Sequence, residues 1–248
     1  MKIVVPSLGR AGTAASMKWL SGANREIVFA VHENEEIAYS KAYPEAMILV
    51  RPESTRRHMG KTRQWIMQQI REPFFLVDDD LKISLKGVPT VAAAFDTLEH
   101  HIECGASMAS FGQQLYSNIQ MENSELVNGD PWVIRNKFAT QIYAVDPKVF
   151  DTCPLEKLPV YEDIAMAIHA IQSGGGTIAS YCATITNMSP PVGGCNSWKT
   201  KEIILDSLRT LCDLYPDVCS IQPTNNMTHS KYIGVGLRTA WSKIKRLS

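Results

Sequence analysis

The stretch Phe74-Phe75-Leu76-Val77-Asp78-Asp79-Asp80-Leu81-Lys82-Ile83 decides the fold class of this chain. Its first four residues are apolar and two of them are aromatic, which is typical of a strand buried on both faces of a parallel sheet. A buried strand cannot keep three ionised side chains, so the chain must leave the sheet at Asp78. The carboxylates then lie at the carboxyl edge of the sheet, where open α/β sheets bind ligands.

Three carboxylates at one strand end repel one another unless a cation or several hydrogen-bond donors lie among them. Oxygen ligands on such a turn suit a hard divalent ion that also holds substrate phosphates. The alternative is a solvated acidic turn that binds nothing. The apolar strand directly before Asp78 favours a site.

The composition indicates an ordinary globular protein of one large domain, or of a domain with an appendage. The chain has 248 residues, of which 45% are hydrophobic and 20% charged. Its 25 basic residues balance 25 acidic ones, so the formal net charge is zero. Global charge therefore gives no indication of a nucleic-acid partner, and an anionic partner would have to meet a local patch.

The six cysteines contain no C-x-x-C pair and are too sparse for a disulfide framework. We therefore expect free thiols in a reducing compartment, the cytoplasm. The opening apolar run is too short for a signal peptide and is interrupted by Pro6. No stretch approaches the roughly 18 apolar residues of a membrane span, so we expect none.

Four short apolar runs in the first 80 residues alternate with helical segments, which predicts βαβ units and a parallel sheet. The predicted strands are residues 3–5, 27–31, 47–50 and 74–77. Further strands are expected at 106–111, 139–145 and 177–184, a long loop or hairpin at 116–137, and helices at 13–20, 90–104 and 201–214. A last amphipathic helix is expected around Leu237, Trp241 and Ile244.

The pattern predicts an α/β fold with a mixed, mostly parallel sheet and flanking helices, in a domain of residues 1–190. Residues 191–248 are expected to form a C-terminal helical extension packed on the same domain.

The loop Pro6-Ser7-Leu8-Gly9-Arg10-Ala11-Gly12 joins the first strand to a helix N-terminus, where backbone N–H groups favour anions. It matches neither G-x-G-x-x-G nor G-x-x-x-x-G-K-[ST], which disfavours a Rossmann dehydrogenase and a P-loop protein. The loop could wrap a base and ribose, or be a tight turn without a ligand. Both interpretations remain open.

Residues 56–63 form a basic segment that contains Arg56, Arg57, Lys61 and Arg63. Arginine forks match phosphates and lysine supplies a point charge, although a solvated basic turn is the alternative. Because this segment directly precedes the acidic strand in βαβ order, the two should flank one crevice. Such a crevice suits a nucleoside diphosphate with its cation.

Two further features are ambiguous. Tyr161-Glu162-Asp163 opens a predicted helix, and pattern alone favours an acidic first turn that contributes about 0.3–1 kcal/mol to helix stability. If this segment is part of an active site, one of its two carboxylates would act as general base toward an acceptor hydroxyl. His229, in a polar loop, could swing over a site or simply be exposed to solvent.

Taken in order, these segments resemble the A-type glycosyltransferase fold (GT-A). The resemblance implies that the first loop and the basic segment contact a nucleotide sugar together with the first two aspartates. These residues are Pro6, Ser7, Gly9, Arg10, Lys61, Arg63, Asp78 and Asp79. It also implies Mn²⁺ or Mg²⁺ on Asp80, with Asp78 and His229 as further ligands. The acceptor-activating carboxylate would be Asp163 or, as second choice, Glu162.

Within that fold, V-P-S-L-G-R and Y-E-D are most similar to the TET-associated glycosyltransferases of phages, which are thought to glycosylate 5-hydroxymethylpyrimidines in DNA. The resemblance implies transfer of a sugar from a UDP-linked donor to such a base, as in 5-hydroxymethylcytosine, in the host cytoplasm. Double-stranded DNA is then an expected partner. Its contacts would be Arg56, Arg57, Lys243, Lys245 and Arg246.

Three alternatives stay open. The first is a glycosyltransferase that acts on a glycan, lipid or protein. The second is a sugar-nucleotide pyrophosphorylase, against which the absence of a G-x-G-T-R-like loop after the first strand argues. The third is a non-catalytic module whose basic C-terminal helix binds nucleic acid or an anionic membrane.

Overall fold

A ten-stranded mixed sheet forms the centre of the described structure. The structure is a computed structural model, and it describes residues 1–113, 124–137, 141–188, 194, 198–223 and 235–245. The strands of the sheet are β1 (Ile3–Pro6), β2 (Ile27–His32), β3 (Met47–Arg51), β4 (Phe74–Val77), β5 (Leu81–Leu85), β6 (Met108–Gln113), β7 (Glu125–Val127), β8 (Asp130–Arg135), β9 (Ile142–Val145) and β10 (Thr177–Asn187).

The sheet has the order β3-β2-β1-β4-β9-β6-β10-β8-β7, and β5 pairs with β10. Strands β1 to β4 are mutually parallel where they pair, as the alternation in the first 80 residues predicted. Strand β9 is inserted antiparallel between β4 and β6, and β6 pairs parallel with β10. The predicted α/β fold class with a mixed sheet and flanking helices is confirmed.

Helices cover both faces of this sheet. They are α1 (Met17–Leu20), α2 (Glu36–Ala42), α3 (Met59–Gln69), α4 (Val91–Glu103), α5 (Glu162–Gln172) and α6 (Lys201–Leu214). The side chains of Thr90 and Thr200 accept hydrogen bonds from Ala93 N and Ile203 N, so both act as N-caps. These caps explain why the predicted starts of α4 and α6 agree with the observed ones.

Strand β4 is buried on both faces, as its sequence predicted. Phe75 and Val77 belong to one apolar core, which α4 covers. Phe74 and Leu76 belong to a second core, which α3 and α5 cover. All four side chains are fully buried. The strand therefore has no polar face, and its charged continuation must lie outside the sheet.

The predicted last helix is wrong. Val235–Thr239 forms a strand, β12, that pairs antiparallel with β11 (Cys219–Pro223) in a separate two-stranded sheet. Trp241–Lys243 is a short 3₁₀ turn. Leu237, Trp241 and Ile244 still pack against the second core, so the apolar pattern indicated burial correctly. It could not reveal the strand partner, which lies earlier in the chain.

Two other predicted segments differ in extent. The predicted helix 13–20 is reduced to Met17–Leu20, because the preceding residues form turns beneath the acidic loop. Of the predicted loop or hairpin at 116–137, the described residues form a hairpin of β7 and β8. Asn128 and Gly129 both have positive φ at its tip, which suits a tight two-residue turn. Residues 116–123 lie outside the described part, as do residues 139–140 of the strand predicted at 139–145.

None of the helices in the described part of the chain has the length and hydrophobicity that crossing a membrane requires.

The start of α3 packs closely on residues 155–159. Met59 N donates to Pro159 O at 2.9 Å and Gly60 N to Leu158 O at 3.2 Å. A Cβ atom on Gly60 would lie 1.9 Å from Leu155 O. We therefore expect Gly60→Ala to lower the free energy of unfolding by about 1–3 kcal/mol, because the clash outweighs the better helix propensity of alanine.

Urea unfolding measures this effect, with Gly22→Ala as the matched control. A Cβ on Gly22 would lie 3.7 Å from Val91, an ordinary contact. Equal unfolding midpoints for the two variants would contradict the close packing of α3.

Candidate active site

The backbone of the acidic turn is held by a serine from the start of α1. Ser16 Oγ donates to Asp78 O at 2.6 Å and accepts from Leu81 N at 3.0 Å. Ser16 N donates to Asp79 O at 3.1 Å. The turn is thus fixed relative to β1 and α1 without the use of its carboxylates, which are directed to different partners.

Asp79 anchors the loop that follows β1. Its carboxylate accepts from Ser7 Oγ and pairs with Arg10 Nη1, which also lies 3.2 Å from Asp80 Oδ2. Tyr39 OH lies 2.6 Å from Ser7 Oγ and accepts from Arg10 N at 3.1 Å. Ser7, Arg10, Tyr39 and Asp79 are all buried. The structure therefore brings the predicted loop and the acidic turn into direct contact.

Asp78 faces a different arginine. Arg63 Nη2 lies 3.7 Å from Asp78 Oδ1 and 3.0 Å from Glu162 Oε1. Arg63 Nη1 donates to Tyr143 OH at 2.9 Å, and the guanidinium lies 5.0 Å from the centre of that ring. Arg63 was expected at the nucleotide, but its side chain is only 4% exposed. It connects the acidic turn with the first residue of α5.

The pKa of Asp78 is raised to about 7, chiefly by burial and in addition by the neighbouring Asp80, Asp79 and Glu162, while Arg63 opposes this shift. Burial likewise raises the pKa of Glu162, which Arg63 opposes. The region around Asp78 thus holds more negative than positive charge. A cation bound there would relieve this imbalance.

The exposed fractions of the carboxylates show which ones can reach a metal ion. The side chains of Asp78 and Asp80 are 23% and 15% exposed, whereas that of Asp79 is 7% exposed and paired within the protein. In the described ranges no three His, Cys, Asp or Glu side chains are grouped so that they could hold a metal. Mg²⁺ and similar ions often use one or two carboxylates, with water and substrate phosphates completing the shell. Asp78 and Asp80 fit that pattern. His229 lies outside the described residues.

Glu162 and Asp163 have different environments although they are adjacent. Glu162 is buried and paired with Arg63, whereas Asp163 is partly exposed and its Oδ1 accepts from Ile164 N at 2.9 Å. The preceding Tyr161 has φ 66°, a left-handed conformation that is uncommon for a bulky residue. The two adjacent carboxylates thus differ in burial, at a point where the backbone enters the helix from a left-handed residue.

The remaining basic candidates lie at the surface. Lys61, on the first turn of α3, is exposed, as are Arg56 and Arg57. Arg56 Nη1 lies 3.0 Å from Glu53 Oε1. Lys243 and Lys245 are exposed near the C-terminus, and Arg246 lies outside the described residues.

Gly9 lies exposed in the loop after β1, with φ 70°, and its N–H donates to Glu35 Oε1. Pro6, the last residue of β1, is buried. Gly9 and Pro6 therefore belong to the backbone of the loop that Ser7 and Arg10 attach to Asp79.

Sequence reasoning missed four residues that assemble the site: Ser16, Tyr39, Arg51 and Tyr143. Arg51 donates to Thr62 Oγ1 at 2.8 Å and to Ser7 O at 3.2 Å, so it ties α3 to the first loop. Its place at the end of a predicted strand was a usable signal. The others have no local signal, because their partners are distant in sequence.

A cavity of about 450 Å³ lies at the carboxyl ends of β2 and β3, beside this site. It is lined by Glu33, Asn34, Val50, Arg51, Pro52, Glu53, Arg56 and Trp65. Another cavity, of about 270 Å³, lies around Gly174–Gly176 at the amino ends of β6 and β10 and contains none of the predicted site residues. Of these two cavities, the first contains one of the predicted residues, Arg56, and also Arg51, which donates to the backbone of Ser7.

The fold and the site define an α/β protein whose acidic turn, basic helix start and partly exposed helix carboxylate meet at one sheet edge. Residues 1–103 match the model of the TET-associated glycosyltransferase family. The predicted resemblance to that family is thus confirmed over this part of the chain, and the match supports a glycosyltransferase. It includes the first loop, the basic segment and the acidic turn, but not α5. No curated protein matches the chain in sequence.

The solved structures that resemble the chain include three with a TM-score of 0.47 each. The first is a mannose-1-phosphate geranyltransferase from Thermus thermophilus, which is 11% identical, with 75% of each chain covered. The second is a UDP-glucose pyrophosphorylase in complex with UDP-glucose, which is 12% identical, with 86% of this chain and 98% of that chain covered. The third is the inositol-1-phosphate CTP transferase from T. maritima, which is 13% identical, with 83% of this chain and 94% of that chain covered.

The buried pair of Arg63 and Glu162 generates a stability prediction. Breaking a buried ion pair by removal of one partner leaves the other charge uncompensated, at a cost of about 3–5 kcal/mol. We expect Glu162→Gln to destabilise the protein by an amount near the lower end of that range. The double change Arg63→Met with Glu162→Met should cost clearly less than the sum of the single changes.

Urea unfolding at pH 7 checks this coupling. Asp151→Asn is the control, because its pair with Arg71 is exposed and such pairs contribute little. Additive effects of the two methionine substitutions would show that Arg63 and Glu162 are not coupled.

His32, at the end of β2, generates a pH prediction. Burial and the nearby Arg51 lower its pKa from 6.5 to about 4, with Arg56 adding to this effect and Glu53 opposing it. The unfolded chain therefore binds a proton between pH 6.5 and 4 that the folded protein rejects. The contribution of His32 to stability should therefore fall as the pH drops through that range, by up to about 1.4 kcal/mol per pH unit, whereas the raised pKa of Asp78 acts in the opposite sense.

Unfolding midpoints measured from pH 7.5 to 4.5 check this slope. The stability of the wild type relative to His32→Gln should fall as the pH drops, because only the wild type has the buried imidazole at this position. Parallel curves for the wild type and His32→Gln would contradict the low pKa of His32.

Proposed function

We propose that this protein is a metal-dependent glycosyltransferase that moves a sugar from a UDP-linked nucleotide sugar to an acceptor hydroxyl. The acceptor in this proposal is the hydroxymethyl group of a modified pyrimidine in double-stranded DNA. The observation that carries the proposal is the convergence of the acidic turn, the start of α3 and the start of α5 around Arg63. The family match of residues 1–103 supports the reaction class.

The donor would bind at the carboxyl edge of β1 to β4. Asp78 and Asp80 would hold Mn²⁺ or Mg²⁺, which when bound stabilises the negative charge of the diphosphate leaving group. Lys61 adds a point charge at the N-terminus of α3, where the helix dipole also favours phosphate. Ser7, Arg10 and Asp79 keep the loop after β1 in the shape that receives the nucleotide.

The cavity beside Arg51 supports a nucleotide donor. Its volume of about 450 Å³ is sufficient for a base and ribose, and Trp65 offers an aromatic wall for stacking. Arg51 lines this cavity and also donates to the backbone of the first loop. The base would thus lie on the β3 side of the loop, with the diphosphate directed toward the acidic turn.

Asp163 is the proposed general base. It lies in the first turn of α5, is partly exposed, and comes two residues after Tyr161, whose backbone is left-handed. It would accept the proton of the acceptor hydroxyl as that oxygen attacks the anomeric carbon of the sugar. Glu162 is unsuited to this task because its carboxylate is buried against Arg63. It acts instead as a positioning residue.

The exposed basic residues are the proposed contacts to DNA phosphates. Arg56 and Arg57 lie beside the donor edge, and Lys243 and Lys245 lie near the C-terminus. Because the chain as a whole is neutral, binding would depend on these local charges and should weaken steeply with salt.

The test is an assay of UDP release from UDP-glucose and other UDP sugars, with double-stranded DNA that contains 5-hydroxymethylcytosine. We expect release in the presence of Mn²⁺, loss with EDTA, and recovery when Mn²⁺ is restored. Asp80→Ala should abolish turnover. Asp163→Asn should lower kcat by about 10²–10⁴-fold while the donor still binds.

Asp206→Asn, at an exposed position on α6, is the control and should keep full activity. Normal activity of Asp80→Ala in Mn²⁺ buffer would exclude the metal assignment. Release of pyrophosphate from a nucleoside triphosphate and a sugar phosphate, without UDP release, would indicate a pyrophosphorylase instead. Activity on glycan, lipid or protein acceptors alone would exclude DNA as the acceptor.

A further inference from the structure

An arginine lies inside the acidic turn. Arg10 Nη1 pairs with Asp79 Oδ1 and lies 3.2 Å from Asp80 Oδ2, so one guanidinium nitrogen bridges the second and third carboxylates. The Arg10 side chain is 4% exposed. A guanidinium remains protonated at every relevant pH, so this positive charge is permanent.

The position of Arg10 is fixed from several directions. Its backbone N donates to Tyr39 OH, and Gly194 N donates to Leu8 O at 2.9 Å. A Cβ atom on Gly194 would lie 2.4 Å from Arg10 Nη2. The guanidinium is therefore enclosed between the acidic turn and the backbone at position 194, and it must share the space around Asp80 with any other cation.

The two carboxylates that Arg10 contacts differ in how far they remain available to another ligand. Asp79 uses Oδ1 for Arg10 and Oδ2 for Ser7 Oγ, and it is buried. Asp80 is partly exposed, and its contact with Arg10 is longer. Asp79 is thus the anchor of Arg10, whereas Asp80 is the carboxylate that can exchange this arginine for another positive charge.

We propose that Arg10 is a built-in counter-ion of the acidic turn that competes with the divalent cation for Asp80 and so sets the affinity for that cation. This inference rests on the proposed function, in which Asp80 is a metal ligand. Asp79 then has an indirect role, because it holds Arg10 and thereby limits how strongly Arg10 pairs with Asp80.

Competition between Arg10 and Mn²⁺ predicts that substitution of Arg10 and substitution of Asp79 change the affinity for Mn²⁺ in opposite directions, by factors of similar size. Arg10→Gln removes the permanent charge beside Asp80, so Mn²⁺ should bind about tenfold more tightly or better. Asp79→Asn removes the anchor, so Arg10 should pair more closely with Asp80 and Mn²⁺ should bind about tenfold more weakly. On the Arg10→Gln background, Asp79→Asn should weaken Mn²⁺ binding by a smaller factor than it does in the wild type, because no arginine is left to compete and only the loss of the Asp79 charge itself remains.

The experiment is a titration of the full chain with Mn²⁺ alone, in which electron paramagnetic resonance measures free Mn²⁺. Asp80→Asn defines binding that does not use the proposed site, and thermal unfolding without metal confirms that each variant is folded. Asp79→Asn is isosteric, and asparagine can still accept from Ser7. It therefore keeps the inference testable even where Arg10→Gln does not fold.

The outcomes separate this inference from the proposed function. Tighter binding by Arg10→Gln and weaker, Arg10-dependent binding by Asp79→Asn would support the competition. Mn²⁺ binding that depends on Asp80 but is unchanged in both variants, or effects that simply add in the double variant, would overturn it. If the wild type binds no more Mn²⁺ than Asp80→Asn, and Arg10→Gln does not create such binding, the inference and the metal assignment both fail.

Discussion

The structure depends on one constraint, which is that a fully buried strand ends in three carboxylates. Their charge is compensated in part by two arginines that are themselves buried, Arg10 and Arg63. Arg10 comes from the loop after β1 and Arg63 from α3, so charge compensation brings both elements to the end of β4. Buried ion pairs are costly to form unless their geometry is good and their remaining hydrogen-bonding capacity is used. Here Ser7, Tyr143 and Glu162 provide the additional partners.

The same constraint explains why residues of one chemical type have different roles. Asp78, Asp79 and Asp80 look equivalent in sequence, yet Asp79 is paired internally while its two neighbours keep part of their carboxylates accessible. Glu162 and Asp163 differ in the same way, because Glu162 is buried whereas Asp163 is partly exposed. In each group the buried member compensates a buried arginine, which leaves the exposed member available for a ligand.

The sequence allowed the fold to be predicted where the determining interactions are local. Apolar runs, helix caps such as Thr90 and Thr200, and the βαβ alternation depend on residues close together in the chain. The prediction failed at Leu237 and Trp241, because an apolar spacing is compatible with a helix or with a strand whose partner is elsewhere. For the candidate site, the segments were predictable but the pairings were not. Arg63 and Tyr143 are 80 residues apart, and no local pattern relates them.

The position of Arg63 has a consequence for how the two halves of the site can work together. The family match ends at residue 103 and contains the elements that we propose to bind the donor, whereas Glu162 and Asp163 lie beyond it. Arg63 contacts Asp78 on one side and Glu162 on the other, within a buried region that cannot take up a displaced charge without cost. A shift of the acidic turn would therefore be expected to alter the start of α5, and the reverse. In the proposed reaction, this guanidinium would couple the geometry of the donor to that of the acceptor, and a cation bound at Asp78 would also act on the helix that carries Asp163.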